Sequence, residues 1–296
     1  MKKIAWVFPG QGSQSIGMLS KYNKHTKIIS YFNKASNILG YDLWDICQKD
    51  QKKIHQTKYT QPLLLTASIA ISRILEERNE QKPDILAGHS LGEYSALLYA
   101  QSLSFSDAIK IVSFRGKCME ESGKDNIGGM AAILGLTSKE VFNICMDHSQ
   151  GEILTPVNFN TADQIVISGH MNAIKRVIKK FHSFKKGKII LLPVSIPSHC
   201  ILMQSASKKL DKFLSKIKIF PPKIPIIHNS DLQFHTEISD IKKSLILQMV
   251  SPVHWLMTIK KMVNLNVYKI LECGPGKILT GINKKINKNL ICQAFI

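Results

Sequence analysis

Ser90 stands in Ala87-Gly88-His89-Ser90-Leu91-Gly92-Glu93-Tyr94, after the apolar run Ile85-Leu86-Ala87 and before the unbroken stretch Ser95-Ala96-Leu97-Leu98. Strand, sharp turn and helix with a serine at the apex is the pattern of a nucleophile elbow, in which the turn strains the serine backbone and exposes its hydroxyl. Gly88 and Gly92 keep the crowded strand and helix from clashing. The hydroxyl then sits at the carboxyl end of the strand, and the amide of Leu91, at the helix start, is free to donate to a developing oxyanion. Gly-x-Ser-x-Gly alone is common; the flanking strand and helix give it content. The competing interpretation is an ordinary strand-helix turn with a capping serine.

A serine nucleophile needs a base, because its free hydroxyl is almost wholly protonated near neutrality. Among ten histidines, His199 in Val194-Ser195-Ile196-Pro197-Ser198-His199 follows a strand and a proline turn, where a loop can reach the elbow. It competes with the commoner role of a hydrogen-bonded bystander. His89 adjoins Ser90, but neighbours on a turn point in different directions. Arg115, in Phe114-Arg115-Gly116, interrupts an otherwise apolar helical stretch. An inward arginine needs an anion, since stripping one side from a buried pair costs roughly 3–5 kcal/mol. That anion is either a structural carboxylate or a substrate carboxylate gripped by the planar guanidinium fork. No acidic residue presents itself as a third member of a triad.

These side chains need a scaffold, and the chain is long enough to supply one. At 296 residues, 44% hydrophobic and 21% charged, it reads as a soluble globular protein with one large domain, or one domain carrying an insertion. No apolar run approaches the ~20 residues of a membrane span. The apolar start ends at Pro9-Gly10, too short for a signal peptide. Six scattered cysteines without a Cys-x-x-Cys pair read as reduced thiols, so a cytoplasmic protein without a zinc site is expected. The formal charge of +19 fits a surface that meets an anionic partner, or a lysine-, isoleucine- and asparagine-rich composition with no function of its own. No nucleic-acid motif accompanies it, which disfavours nucleic acid.

Ile4 to Phe8 reads as a buried strand that breaks at Pro9-Gly10-Gln11-Gly12-Ser13-Gln14. No phosphate-loop or dinucleotide pattern completes that loop, so its glycines are expected to bring backbone amides close to a ligand. Helical spacing runs from Pro62 to Arg78 and from Ser106 to Met119. A β-α-β-β-α-β series follows: strand Met130–Leu136, helix Ser138–His148 capped by Thr137 or Ser138, strands Ile153–Asn158 and Gln164–Ser168, helix Asn172–Phe184 and strand Lys188–Leu192. That order resembles a ferredoxin-like unit. It divides the chain into a main domain, 1–126 with 194–296, and an inserted subdomain, 127–193. The main domain continues with helix Ile201–Ile217, strand Ile224–His228, helix Ile238–Met249, strand Val267–Glu272 and the turn Gly274-Pro275-Gly276.

Taken in order, Phe8 to Gln14, Thr60-Gln61-Pro62, Gly88 to Tyr94, Arg115-Gly116, Pro156-Val157-Asn158-Phe159-Asn160, Pro197-Ser198-His199 and Gly274-Pro275-Gly276-Lys277 resemble the bacterial malonyl-CoA:acyl carrier protein transacylases. The resemblance covers essentially the whole chain. It implies an α/β-hydrolase-like large domain with a parallel central sheet, plus an inserted ferredoxin-like subdomain. It implies ping-pong transfer of malonyl through a Ser90 ester, with His199 as base, oriented by the backbone carbonyl at the position of Gln248. It implies an oxyanion hole from the amides of Gln11 and Leu91, Arg115 on the malonyl carboxylate, and cleft-lining places for Gln61 and Asn160. Malonyl-CoA and phosphopantetheinylated acyl carrier protein are the implied substrates, with no bound cofactor or metal, in a cytoplasmic monomer. Carrier protein is acidic, and Lys185, Lys186 and Lys188 are the expected basic rim; solvated lysines at a helix end are the alternative. A thioesterase, a patatin-like hydrolase and a catalytically silent scaffold are the rivals. Patatin-like enzymes need an Asp-Gly motif that this chain lacks, and a plain thioesterase has no use for Arg115.

Overall fold

The computed structural model describes residues 1–125, 127–181 and 186–295. The first part of the chain runs β1 (Lys3–Phe8), α1 (Thr26–Leu39), α2 (Leu43–Gln48), α3 (Thr57–Glu77), β2 (Ile85–Gly88), α4 (Gly92–Tyr99) and α5 (Phe105–Asp125). The middle runs β3 (Gly128–Leu134), α6 (Ser138–Ser149), β4 (Leu154–Phe159), β5 (Gln164–His170), α7 (Met171–Phe181) and β6 (Lys188–Leu191). The last part runs α8 (Gln204–Leu214), β7 (Ile226–Ile227), α9 (Ile238–Gln248), α10 (Trp255–Asn264), β8 (Val267–Glu272), α11 (Ile278–Ile286) and β9 (Ile291–Ala294).

The apolar runs of β1 and β2 are those of strands buried on both faces, as a helix-covered parallel sheet requires. They lie at the centre of a parallel five-stranded sheet ordered β7-β2-β1-β8-β9. Along β1 the pleat sends Trp6 and Phe8 into the core shared with α1, α3 and α5, and Ala5 and Val7 into the opposite core with Trp255, Ile259 and Ile282. The carboxyl ends of β2, β1 and β8 open side by side, where ligands bind in open α/β sheets. The elbow, the glycine-rich loop and the Gly274-Pro275-Gly276 turn all leave from this edge.

The second sheet is antiparallel, ordered β4-β5-β3-β6, with α6 and α7 as its helices. This is the ferredoxin-like arrangement, with its own core of Ile133, Val141, Ile144, Ile167, Ile174 and Val177. Thr137, not Ser138, caps α6, in a reciprocal capping box with Glu140. The amide of Phe159 donates to Val253 (2.9 Å) and the amide of Val253 to Val157 (2.7 Å), so β4 is stitched to the segment after α9.

Several elements depart from the expected spans. α3 begins at Thr57, five residues ahead of Pro62, and carries the proline inside the helix. Its start is held from elsewhere in the fold: Lys58 N donates to the Glu120 carboxylate on α5 (3.1 Å). The strand expected over 224–228 shrinks to two residues because His228 and Asn229 turn out of the sheet toward the elbow. The helix expected over 201–217 splits into one 3-10 turn, Ile201–Met203, and α8. Residues 182–184 of the expected seventh helix lie outside the described residues. α1, α2, α10, α11 and β9 had no expectation. Among the described residues no helix is long and apolar enough to cross a membrane.

One of the closest backbone approaches in the fold is where α4 meets β1. A Cβ on Gly92 would overlap the carbonyl oxygen of Phe8, backbone against backbone. Gly92→Ala is therefore expected to cost about 3 kcal/mol, the upper range for overpacking. A loss of unfolding free energy, from urea denaturation, of less than a third of that value would contradict this geometry.

Candidate active site

β2 delivers the chain into the elbow, and Ser90 takes φ +52°, a left-handed conformation that a non-glycine residue holds only at a cost of order 1–3 kcal/mol. Hydrogen bonds hold it there. Ser90 N donates to Asn229 Oδ1 (2.8 Å), Asn229 Nδ2 donates to the Gly88 carbonyl (2.7 Å), and Gln248 Nε2 donates to the Ser90 carbonyl (3.0 Å). The first loop lies directly against this turn, because Gly10 has no side chain to strike the His89 carbonyl.

Ser90 Oγ is 2.8 Å from His199 Nε2, and His199 Nδ1 is 2.8 Å from the backbone oxygen of Gln248. A carbonyl oxygen only accepts, so Nδ1 carries the proton and Nε2 turns its lone pair to the serine. His199 is itself left-handed (φ +65°) and buried. From α5, Arg115 Nη2 donates to Ser90 Oγ (3.2 Å) and to the side-chain oxygen of Gln248 (2.9 Å). Among the described residues its Nε has no hydrogen-bond partner. Arg115 is only 1% exposed, yet it makes no ion pair among the described residues. The buried carboxylate of Glu93 acts on it through space without pairing with it. Burial first, and the Arg115 cation next, push the His199 imidazole down to about 3. Burial likewise pulls Arg115 below the usual guanidinium range.

These groups face a cavity of about 110 Å³ walled on the apolar side by Met119, Met130, Leu192, Val194 and Ile196. Gln11 and Leu91 line it, and neither backbone amide is spent in a hydrogen bond among the described residues. Gln61 also lines it, with its side-chain oxygen unpartnered. Asn160 stands one step behind, its oxygen 3.0 Å from Nε2 of the cavity-lining His89. Asn158, two residues earlier, lines the cavity and leaves its side-chain oxygen unpartnered. A wider cavity of about 500 Å³ shares Thr57, Val194 and Ile196 with the inner one and reaches out to His55, Lys58 and Ile127. It forms a vestibule.

Lys186 and Lys188 line neither cavity. Lys188 starts β6, about 13 Å along the strand from the cavity residue Leu192 at the usual rise per residue. Lys186 is exposed and lies 4.0 Å from Glu140. Lys185 lies outside the described residues. The sequence reading passed over Glu93, His228 and Asn229. Glu93 is fully buried in the first turn of α4, and its only sequence signal is a lone acid among apolar helical neighbours. No metal-binding cluster of histidine, cysteine and acidic residues occurs among the described residues.

A serine hydroxyl, an imidazole lone pair and two open amides converge on one cavity, an arrangement suited to serine-dependent acyl transfer on an α/β-hydrolase-like scaffold. Residues 5–275 match the acyl transferase domain family, and the chain belongs to that family. It is 40% identical over 297 residues to the malonyl CoA-acyl carrier protein transacylase of Salmonella typhimurium, covering 100% of this chain and 96% of the relative. The solved malonyl CoA-acyl carrier protein transacylase of Coxiella burnetii superposes with a TM-score of 0.94 at 42% identity, over 99% of this chain and 93% of that one. A malonyl-transacylase solved in complex with a type II PKS acyl-carrier protein superposes with a TM-score of 0.93 at 39% identity, over 99% and 95%.

With His199 so hard to protonate, the base form persists as pH falls from about 8 to about 5. The rate of Ser90 sulfonylation by a neutral sulfonyl fluoride is expected to lack the acid limb near 6.5 of an ordinary histidine. Arg115→Ala, which removes the nearby cation, should move that limb upward. A wild-type limb centred near 6.5 would refute the assignment.

Proposed function

We propose that Ser90 is the nucleophile through which this chain moves a malonyl group from malonyl-CoA to the pantetheine thiol of holo acyl carrier protein, supplying malonyl carrier protein for fatty-acid synthesis. The observation that carries the reading is Arg115, a buried guanidinium beside the serine that makes no ion pair among the described residues. An acyl group ending in a carboxylate supplies one, with the geometry a guanidinium fork prefers.

His199 Nε2 takes the Ser90 proton as Oγ attacks the thioester carbon, and the tetrahedral oxyanion accepts from the amides of Gln11 and Leu91. Collapse breaks the carbon–sulfur bond; the coenzyme A thiolate leaves with the proton from His199, and malonyl remains as the Ser90 ester. In the second half the carrier thiol gives its proton to His199 and attacks the ester. The same oxyanion site serves again, and the proton returns to Ser90 Oγ. The Gln248 carbonyl holds the imidazole in one tautomer throughout. Gln61 is the polar wall nearest the acyl group, and Asn160 acts on the cleft through His89. The chemistry calls for no bound cofactor.

Residues 127–193 form a subdomain over the catalytic unit made by 1–126 and 194–296, and the vestibule between them admits the pantetheine arm. The carrier is acidic, and the net charge of +19 favours its encounter through electrostatic steering. Lys186 and Lys188 contribute to that steering from a distance, with Lys185, outside the described residues, as the third lysine of the expected rim. The protein works as a monomer in the cytoplasm.

Intact-protein mass spectrometry after brief exposure to malonyl-CoA is expected to show a malonyl adduct on wild type, none on Ser90→Ala, and its discharge by holo carrier protein. Free malonate without an adduct would indicate a hydrolase instead. Arg115→Ala should lower kcat/KM for malonyl-CoA on the order of 100-fold or more, the cost of removing one side of a buried charge pair, with a far smaller effect on acetyl-CoA. Equal losses for both acyl groups would remove Arg115 from substrate selection. Reversing charge at Lys186 and Lys188 is expected to lower kcat/KM for the carrier but not for malonyl-CoA, and to flatten its salt dependence. An unchanged salt slope would remove those lysines from the rim.

A further inference from the structure

Beneath the reacting atoms lies a buried polar network that the acyl-transfer steps do not touch. Its centre is Glu93, whose carboxylate is fully shielded from solvent. One oxygen accepts from His228 Nδ1 (2.8 Å), and the other from Asn229 N (3.0 Å) and Gln248 Nε2 (2.8 Å). The site therefore contains a buried anion, Glu93, and a buried cation, Arg115, that do not form an ion pair. The side-chain amide of Gln248 stands between them. Its nitrogen donates to Glu93, and its oxygen accepts from Arg115 Nη2 at 2.9 Å.

In a dry interior two opposite charges attract strongly, and a long flexible arginine moves readily to meet an anion. An amide is suited to prevent this, because it offers a donor to the anion and an acceptor to the cation while carrying no charge. We propose that the side chain of Gln248 is a neutral spacer that holds Arg115 off Glu93, so that the guanidinium stays open to the acyl carboxylate. This is a positioning role, separate from that of the Gln248 main-chain carbonyl on His199. The inference rests on the reading that Arg115 binds the malonyl carboxylate. The unpartnered Nε of Arg115 is its visible consequence: a donor left unused in the resting site.

Gln248→Ala keeps the main-chain carbonyl and removes the spacer. Arg115 then meets Glu93, and kcat/KM for malonyl loading falls by at least about tenfold more than that for acetyl loading, the shared loss reporting the missing Gln248 bond to the Ser90 carbonyl. Adding Glu93→Gln removes the competing anion, and malonyl loading in the double variant recovers most of the malonyl-specific loss. A purely structural role for Gln248 would lower both acyl groups together, and Glu93→Gln would deepen the loss; that result overturns the spacer. Gln248→Glu keeps the shape and so guards against misfolding of the alanine variant. Combined with Glu93→Gln, so that its carboxylate shares no proton with Glu93, it sets an anion on Arg115, and malonyl preference is expected to disappear; a preserved preference also overturns the proposal. All variants are compared with wild type by adduct formation with malonyl-CoA and acetyl-CoA. If wild type itself shows no preference for malonyl, the Arg115 reading fails and the spacer with it. If wild type prefers malonyl and the double variant is not rescued, only the spacer falls.

Discussion

A buried guanidinium that makes no ion pair among the described residues is the constraint around which this site is organised. Isolated burial of a guanidinium is costly, and proteins ordinarily offset it with a carboxylate. Here a neutral amide oxygen, the serine hydroxyl and the face of Tyr94, 5.5 Å from the guanidinium carbon, surround Arg115 instead. The same cation disfavours a second positive charge on His199, which keeps the base neutral. On the proposed function, substrate selection and base strength are linked through one electrostatic field, because a carboxylate that neutralised Arg115 would also lift its pressure on His199.

That field works only because the surrounding backbone holds its groups to tenths of an ångström. The strained Ser90 turn is tied down by Asn229, His199 by the Gln248 carbonyl, and Gln248 by Glu93. These residues come from the elbow, from the segment after β6, from the loop after β7 and from the end of α9. The parallel sheet sets the elbow and the glycine-rich loop side by side. The antiparallel sheet, stitched to Val253, brings Asn158 and Met130 to the cavity wall.

Much of this was legible in residue order. The strands at 4–8 and 85–87 were legible as short apolar runs, while the parallel sheet they form was implied by the family resemblance. The elbow was legible because its glycines serve a local backbone crossing. The β-α-β-β-α-β order was plain because hairpins and amphipathic helices are local patterns. Less legible were α3, whose first turn depends on Glu120 of another helix, and β7, shortened where His228 and Asn229 bend toward Glu93. Asn160 also took a different place, behind His89 and not on the wall.

What the sequence determined alone was chemical type: a serine on an elbow, an arginine in an apolar helix, a histidine after a proline turn, and the blocks that mark the family. Those signals are short-range, so they survive without coordinates. Only the tertiary structure decided that Arg115 makes no ion pair among the described residues, that the Nε2 lone pair of His199 faces Ser90, and that Gln248 stands between two buried charges. Each depends on groups between 25 and 155 residues apart meeting within hydrogen-bond distance. Sequence spacing carries no information about such meetings, because folding, not adjacency, brings the groups together.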